Sequence, residues 1–167
     1  GKTNLKYKKK ALDAGINSAA YNILLFTDVD CRIPKNWIFS MMNNYNVGAD
    51  YIVGYSKVNP EKSLVSNFQS IDFRIMMLCA MGAIRMNTPL GCSGQNQSYK
   101  KEIFLKNNGF DKINSLLQGD DSIFLQTCNK SQNIHTVFSI DNDSFVVAKT
   151  HNKFSDFIKQ RVRWSAD

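Results

Sequence analysis

Apolar residues along the chain change their period several times, and each change marks an element. Residues 23–26 read Ile-Leu-Leu-Phe. Four apolar residues without alternation predict a strand buried on both faces, as in a parallel sheet. Ahead of it, Leu12, Ile16 and Ala19 recur at i, i+4 and i+7, so a helix is expected from Lys9. After it, Pro34 suits a first helical turn. Trp37, Ile38, Met41, Met42 and Tyr45 then form one apolar helical face, which Gly48 would end. Residues 50–56 read as a second short strand, and Asn59-Pro60 as a turn.

The longest helical pattern covers residues 61–86. Leu64, Val65, Phe68, Ile71, Ile75, Leu78 and Met81 hold its period, and residues 75–84 are apolar nearly all round. Burial in the core is the expected use of that face; a membrane or another part of the protein is the alternative. Pro89, Gly91 and Gly94 make residues 89–94 a loop. A short strand at 97–99 and a short helix at 102–108 follow, with Gly109 placed as the helix C-cap. Gly119-Asp120-Asp121 stands directly before Ile123-Phe124-Leu125. One aspartate at a helix start is explained as a cap, and the second is left over. Residues 133–140 and 144–150 read as strands joined by a turn at 141–143.

The last helix begins near Phe154. At about 100° per residue, Phe154, Ile158 and Val162 share one stripe, the one expected to be buried. Gln160, Arg163 and Trp164 fall on roughly the opposite face. A Trp beside Arg and Gln can stack on a sugar or a base while its neighbours bind oxygens. The plainer use is a surface Trp packed beneath an arginine stem.

Composition narrows the class. With 167 residues and 43% hydrophobic content, the chain is long and apolar enough for one domain with a real core. The net charge of +7 points to an anionic partner. Cys31, Cys79, Cys92 and Cys128 are scattered without a Cys-x-x-Cys, so neither a zinc site nor a disulfide framework is signalled. No apolar run approaches the roughly 18 residues of a membrane span. The chain starts at Gly1, with lysines not followed by an apolar core, and is expected to be an excised piece.

Candidate chemistry begins at Asp28 and Asp30, which follow the apolar strand where open α/β sheets place ligands. Carboxylates one residue apart in extended backbone share a side. Such a pair suits a hard cation, and Mg²⁺ takes one or two carboxylates plus substrate phosphates. A solvated turn with ordinary acidic residues is the alternative for this pair taken alone.

Five stretches in order carry more information: Lys9-Lys10-Ala11-Leu12-Asp13-Ala14-Gly15; Asp28-Val29-Asp30; Gly94-Gln95-Asn96 with Lys100-Lys101-Glu102; Gly119-Asp120-Asp121; and Gln160-Arg161-Val162-Arg163-Trp164. Together they resemble family 2 of the nucleotide-sugar glycosyltransferases, which contains cellulose, chitin and hyaluronan synthases and many bacterial exopolysaccharide enzymes. The resemblance spans nearly the whole chain and is closed by Gln-x-x-Arg-Trp. It implies a GT-A fold, with a mixed, mostly parallel sheet flanked by helices, lacking the N-terminal half that holds the nucleotide base. It implies an inverting transfer from a nucleotide-sugar donor to a glycan or lipid-linked acceptor, with Mg²⁺ or Mn²⁺ as cofactor.

Residue by residue, the resemblance assigns Asp30 and Asp28 to the metal, with His151 a further candidate ligand. Asp121 maps to the general base, and Asp120 to the acid before it, where the family usually has Glu. Lys10, or Lys9, maps to a lysine near the nucleotide, and Arg163 to the diphosphate. Gly94, Gln95, Asn96, Gln160 and Trp164 map to the acceptor side. A membrane surface on the cytoplasmic side is the implied setting of the full-length protein, and a homodimer is a further expectation. The competing reading is a noncatalytic basic module for nucleic acid or anionic lipid. Against it, the lysines are interleaved with no aromatic except Tyr7, and no nucleic-acid motif is present, so no nucleic-acid partner is expected.

Overall fold

The computed structural model describes residues 7–61, 63–116, 119–151 and 153–164, the side chains of Tyr7, Arg163 and Trp164 excepted. Six helices and six strands lie among them: α1 (Tyr7–Ser18), β1 (Ile23–Phe26), α2 (Trp37–Asn43), β2 (Tyr51–Gly54), β3 (Ser56–Val58), α3 (Leu64–Arg85), β4 (Gln97–Lys100), α4 (Lys101–Lys106), α5 (Ser122–Gln132), β5 (Thr136–Ser139), β6 (Val146–Ala148) and α6 (Phe154–Trp164). The chain is thus mixed α/β, as its alternating periods predict.

The main sheet has the order β1-β4-β2-β5. β4 runs antiparallel to both β1 and β2, and only β2 with β5 is parallel. The mixed sheet agrees with expectation; the mostly parallel one does not. β4 enters between β1 and β2 from the loop at 89–94, and that return direction reverses it against both neighbours. Residues 50–56 form not one strand but parts of two. β2 serves the main sheet, while β3 leaves it to pair in parallel with β6. The two strands expected around the turn at 141–143 likewise part company, β5 to one sheet and β6 to the other.

The strand buried on both faces is β2 rather than β1. Tyr51 and Val53 join the larger core with Phe73, Met77, Phe104, Phe110 and Phe124, while Ile52 points the other way onto Trp37 and Met41. That is the period-2 alternation of a strand with a layer on each side. β1 lies at the edge of the main sheet, and all four of its residues are only half-buried. Its Leu24 and Phe26 pack on the larger core and its Leu25 on the smaller. An apolar groove lined by Ile23, Leu25, Leu12 and Ala19 runs between β1 and α1.

Two helices depart from their wheels. α3 buries Ser66, Gln69, Ser70, Phe73, Met77, Ala80, Ala83 and Ile84, and leaves Leu64, Phe68, Ile71, Ile75 and Leu78 exposed. α6 buries Phe157, and leaves Phe154, Ile158 and Val162 exposed. Both apolar stripes expected in the core therefore face outward. The buried polar residues of α3 are not stranded: Ser70 Oγ donates to the Val58 carbonyl at 2.9 Å, and Gln69 Oε1 accepts the His151 N–H at 2.9 Å. Hydrogen bonds of this kind let a polar face lie against the sheet.

Candidate functional site

The site is assembled where three segments end. The first is the turn after β1. Cys31 N–H donates to the Asp28 carbonyl at 3.1 Å, so residues 28–31 turn instead of staying extended. Asp28 and Asp30 still converge: one carboxylate oxygen of each, with Cys31 Sγ, lie within 4.8 Å of one another. The Arg32–Val147 bridge ties this turn to β6.

The second segment is the start of α5. Gly119 has φ of +89°, a conformation that favours glycine, and it turns the chain so that Asp120 points inward. Asp121 is the helix N-cap and accepts the Ser122 N–H through Oδ1. Asp120, the aspartate left over from capping, is 5% exposed.

The third segment is the loop at 89–94. Ser122 fastens it to α5, accepting the Cys92 N–H at 3.1 Å and donating to the Cys92 carbonyl at 2.9 Å. Gly94 N–H then donates to Asp121 Oδ2 at 3.1 Å. A Cβ on Gly94 would lie 3.3 Å from that oxygen and 3.4 Å from Lys8 Nζ, so a residue without a side chain is what allows this close approach.

Lys8 joins the segments. Its ammonium is 2.8 Å from Asp120 Oδ2 and 4.0 Å from Asp28 Oδ1. Apart from that ion pair, Asp120 Oδ2 has no hydrogen-bond partner among the described residues. Burial acts to lower the Lys8 pKa. The hydrogen bond and charge of Asp120, with Asp28 and Asp121 behind them, outweigh it, and the net shift is upward. Asp121 is also shifted upward, first by burial and then by the Asp120 charge, against the opposing pull of the Ser122 and Gly94 N–H groups and of Lys8. Each Asp121 oxygen accepts one backbone N–H and keeps a second lone pair, so the group can still take a proton.

The donor set fits a hard divalent cation. Asp28 and Asp30 offer carboxylate oxygens, the ligand type such ions prefer. The Cys31 thiol is pushed up to about 11, by burial first and then by the two aspartate charges, and its soft sulfur is a poorer match for a hard cation than the carboxylate oxygens. His151 is outside this cluster, and its backbone N–H is held by Gln69 on α3.

The other expected residues divide. Lys10 is exposed on α1, Lys9 is buried with its ammonium on the Ile113 and Leu116 carbonyls, and the lysine beside Asp120 and Asp28 is Lys8. Lys8 lies four residues before Leu12 and Lys9 three, so helix spacing alone does not choose between them. Asn96 is a structural strut. It accepts the Trp37 indole N–H at 3.0 Å and donates to the Tyr55 and Ser144 carbonyls at 2.9 and 2.7 Å. Gly54 makes room for it, since a Cβ there would lie 2.3 Å from the amide. Gln95 is half-buried beside Gly94. Gln160 accepts from Gln69 Nε2 at 3.4 Å and lines a small depression with His151, Asp156 and Lys159. The assignments to Arg163 and Trp164 rest on side chains outside the described set.

Comparison of the chain with protein-family models and with curated proteins gave no match.

Proposed function

We propose that the protein is the catalytic part of an inverting, metal-dependent glycosyltransferase, with the GT-A organisation that its motifs resemble. It would move a sugar from a nucleotide-diphosphate donor to a hydroxyl of a glycan or lipid-linked acceptor, in polysaccharide or cell-surface glycan synthesis. One observation carries this reading. Asp28, Asp120, Asp121 and Gly94, far apart in sequence, meet around a single lysine, Lys8, at one end of the sheet.

The chemistry needs these residue types. The acceptor hydroxyl attacks the anomeric carbon from the side opposite the leaving diphosphate. As the new C–O bond forms and the old one breaks, the hydroxyl proton passes to Asp121. Burial beside Asp120 raises the proton affinity of Asp121, which favours that transfer. Lys8 neutralises Asp120 and keeps the paired carboxylates compatible in one small space. A divalent cation held by Asp28 and Asp30 would neutralise charge growing on the diphosphate. Arg163 would add a second positive group there, and Trp164 and Gln160 would meet the acceptor.

The test is nucleotide binding in the full-length protein. Uridine or guanosine diphosphate should bind in a Mn²⁺-dependent manner, and Asp30→Ala should abolish that dependence with an unchanged circular dichroism spectrum. Metal-independent binding, or preference for an oligonucleotide with steep salt dependence, would replace this reading with that of a basic binding module.

A further inference from the structure

Lys8 and Lys9 are neighbours in the first turn of α1 and point about 100° apart. Lys8 reaches carboxylates, Asp120 first and Asp28 more distantly. Lys9 reaches backbone. It is 2% exposed, and its ammonium donates to the Ile113 carbonyl at 2.9 Å and to the Leu116 carbonyl. Burying an ammonium is costly unless its donors are paired. Elsewhere on α1 the inward positions are apolar, Leu12 and Ile16, and such a residue at position 9 would satisfy burial alone. What a lysine adds there is a grip on two carbonyls.

The gripped stretch leads to Asp120 and Asp121 and has little regular structure. The 3₁₀ turn Asp111–Ile113 ends where it begins, and residues 114–116 and 119–121 belong to no helix or strand. The Leu116 N–H donates to the Ile113 carbonyl at 3.3 Å, longer than usual for such a bond. Lys9 binds both ends of that turn, Ile113 and Leu116, through their carbonyls. Asp120 stands four residues further on. On the far side, the Asp121 cap of α5 and the paired Ser122–Cys92 hydrogen bonds fix the chain again. The turn that carries both aspartates is therefore held from upstream by Lys9 and from downstream by α5.

We infer that Lys9 is a positioning residue for the site at the sheet end: it ties residues 113–116 to α1 and so sets where the turn at 119–121 presents Asp121 to Gly94 and Asp120 to Lys8. Adjacent residues of one helix thus divide the task, Lys8 holding a carboxylate and Lys9 the backbone that brings it. Being buried, Lys9 acts without contact to donor or acceptor. Its effect on transfer rests on the reading of Asp121 as the base; the anchoring itself does not.

The test is hydrogen exchange of the full-length protein, read by mass spectrometry, in wild type, Lys9→Met and Lys9→Gln. Lys9→Met keeps an apolar stem and loses the donors. In it, exchange at residues 113–122 and 92–95 should quicken on the order of tenfold or more, with β2 and β4 unchanged. Lys9→Gln keeps N–H donors on a stem one bond shorter; it should fall between, and it gives the reading if Lys9→Met does not fold. In transfer assays Lys9→Met should lower kcat on the order of 10–10²-fold, the cost of a misplaced group, and leave the donor KM unchanged. In an Asp121→Asn background it should cost nothing more. Unchanged exchange at residues 113–122 in the folded variants overturns the proposal. So does a rise shared equally by β2 and β4, which would make Lys9 a general stability residue, or an undiminished kcat loss in the Asp121→Asn background. The exchange readout uses no donor, metal or nucleotide, so it stands or falls apart from Mn²⁺-dependent nucleotide binding.

Discussion

The end of the sheet around Asp120 and the outer face of α3 depart from ordinary burial in opposite directions. At the first, a carboxylate 5% exposed is held inside by the ammonium of Lys8. At the second, Leu64 stands 89% exposed while Ser66, two residues on, is fully buried. Burying a charge is costly unless it is paired, and exposing a large apolar patch gives up the hydrophobic gain. A sequence retains either cost more readily where a ligand or surface uses it. The contrast therefore separates two kinds of functional surface: one prearranged for polar chemistry, the other left unsatisfied until something covers it.

The comparison can be broken first at Asp121. Asp121→Asn keeps the shape of the side chain but removes its ability to take a proton. Transfer in the full-length protein should fall by roughly 10²–10⁴, measured as product formed per unit time with donor binding retained. The pH profile carries the sign. The Asp121 pKa is raised in the folded protein, and the base works only when deprotonated, so activity should be lost on acidification already above the ordinary carboxylate range. An unchanged rate in Asp121→Asn, together with loss in Asp120→Asn, would reverse the roles of the two.

The next effect is on packing, and it sharpens the contrast within α3. Phe73 is buried in the core, and Phe73→Ala should cost about 3–5 kcal/mol in denaturant unfolding. Ile75, two residues on and 56% exposed, should lose no more than about 0.5 kcal/mol on change to Ser. Equal losses at the two positions would mean that the stripe is covered in the free protein.

Between these lies Lys8. Lys8→Met removes the partner of a buried carboxylate, but half of the lysine side chain is in solvent, so the cost should be about 1–3 kcal/mol. The wild-type pair has a pH signature of its own. Because the Lys8 pKa is raised on folding, its stabilising contribution is present below the unfolded lysine value near 10.5 and is lost as pH rises through the folded one. Wild type and Lys8→Met should therefore converge in stability only at strongly alkaline pH.

The sequence by itself determined the order and type of most elements. Local signals act over a few residues: four apolar residues at 23–26, glycines at 48 and 109, the aspartate cap at 121. It also marked the acidic stretches that meet at the sheet end, through their order and spacing along the chain rather than through any one of them alone. Tertiary structure alone decided three things. It chose which strand lies at the centre: β4 inserts antiparallel between β1 and β2, a long-range pairing that no local pattern encodes. It chose Lys8 over Lys9 and Lys10, since adjacent residues on a helix point about 100° apart and only the packed domain shows which direction holds the carboxylates. And it turned the apolar stripes of α3 and α6 outward. A helical period shows that residues share a face, but which face meets the core depends on the partner surface; here the sheet offers hydrogen bonds to Ser70 and packing space to Phe73, and the more apolar stripe is left outside.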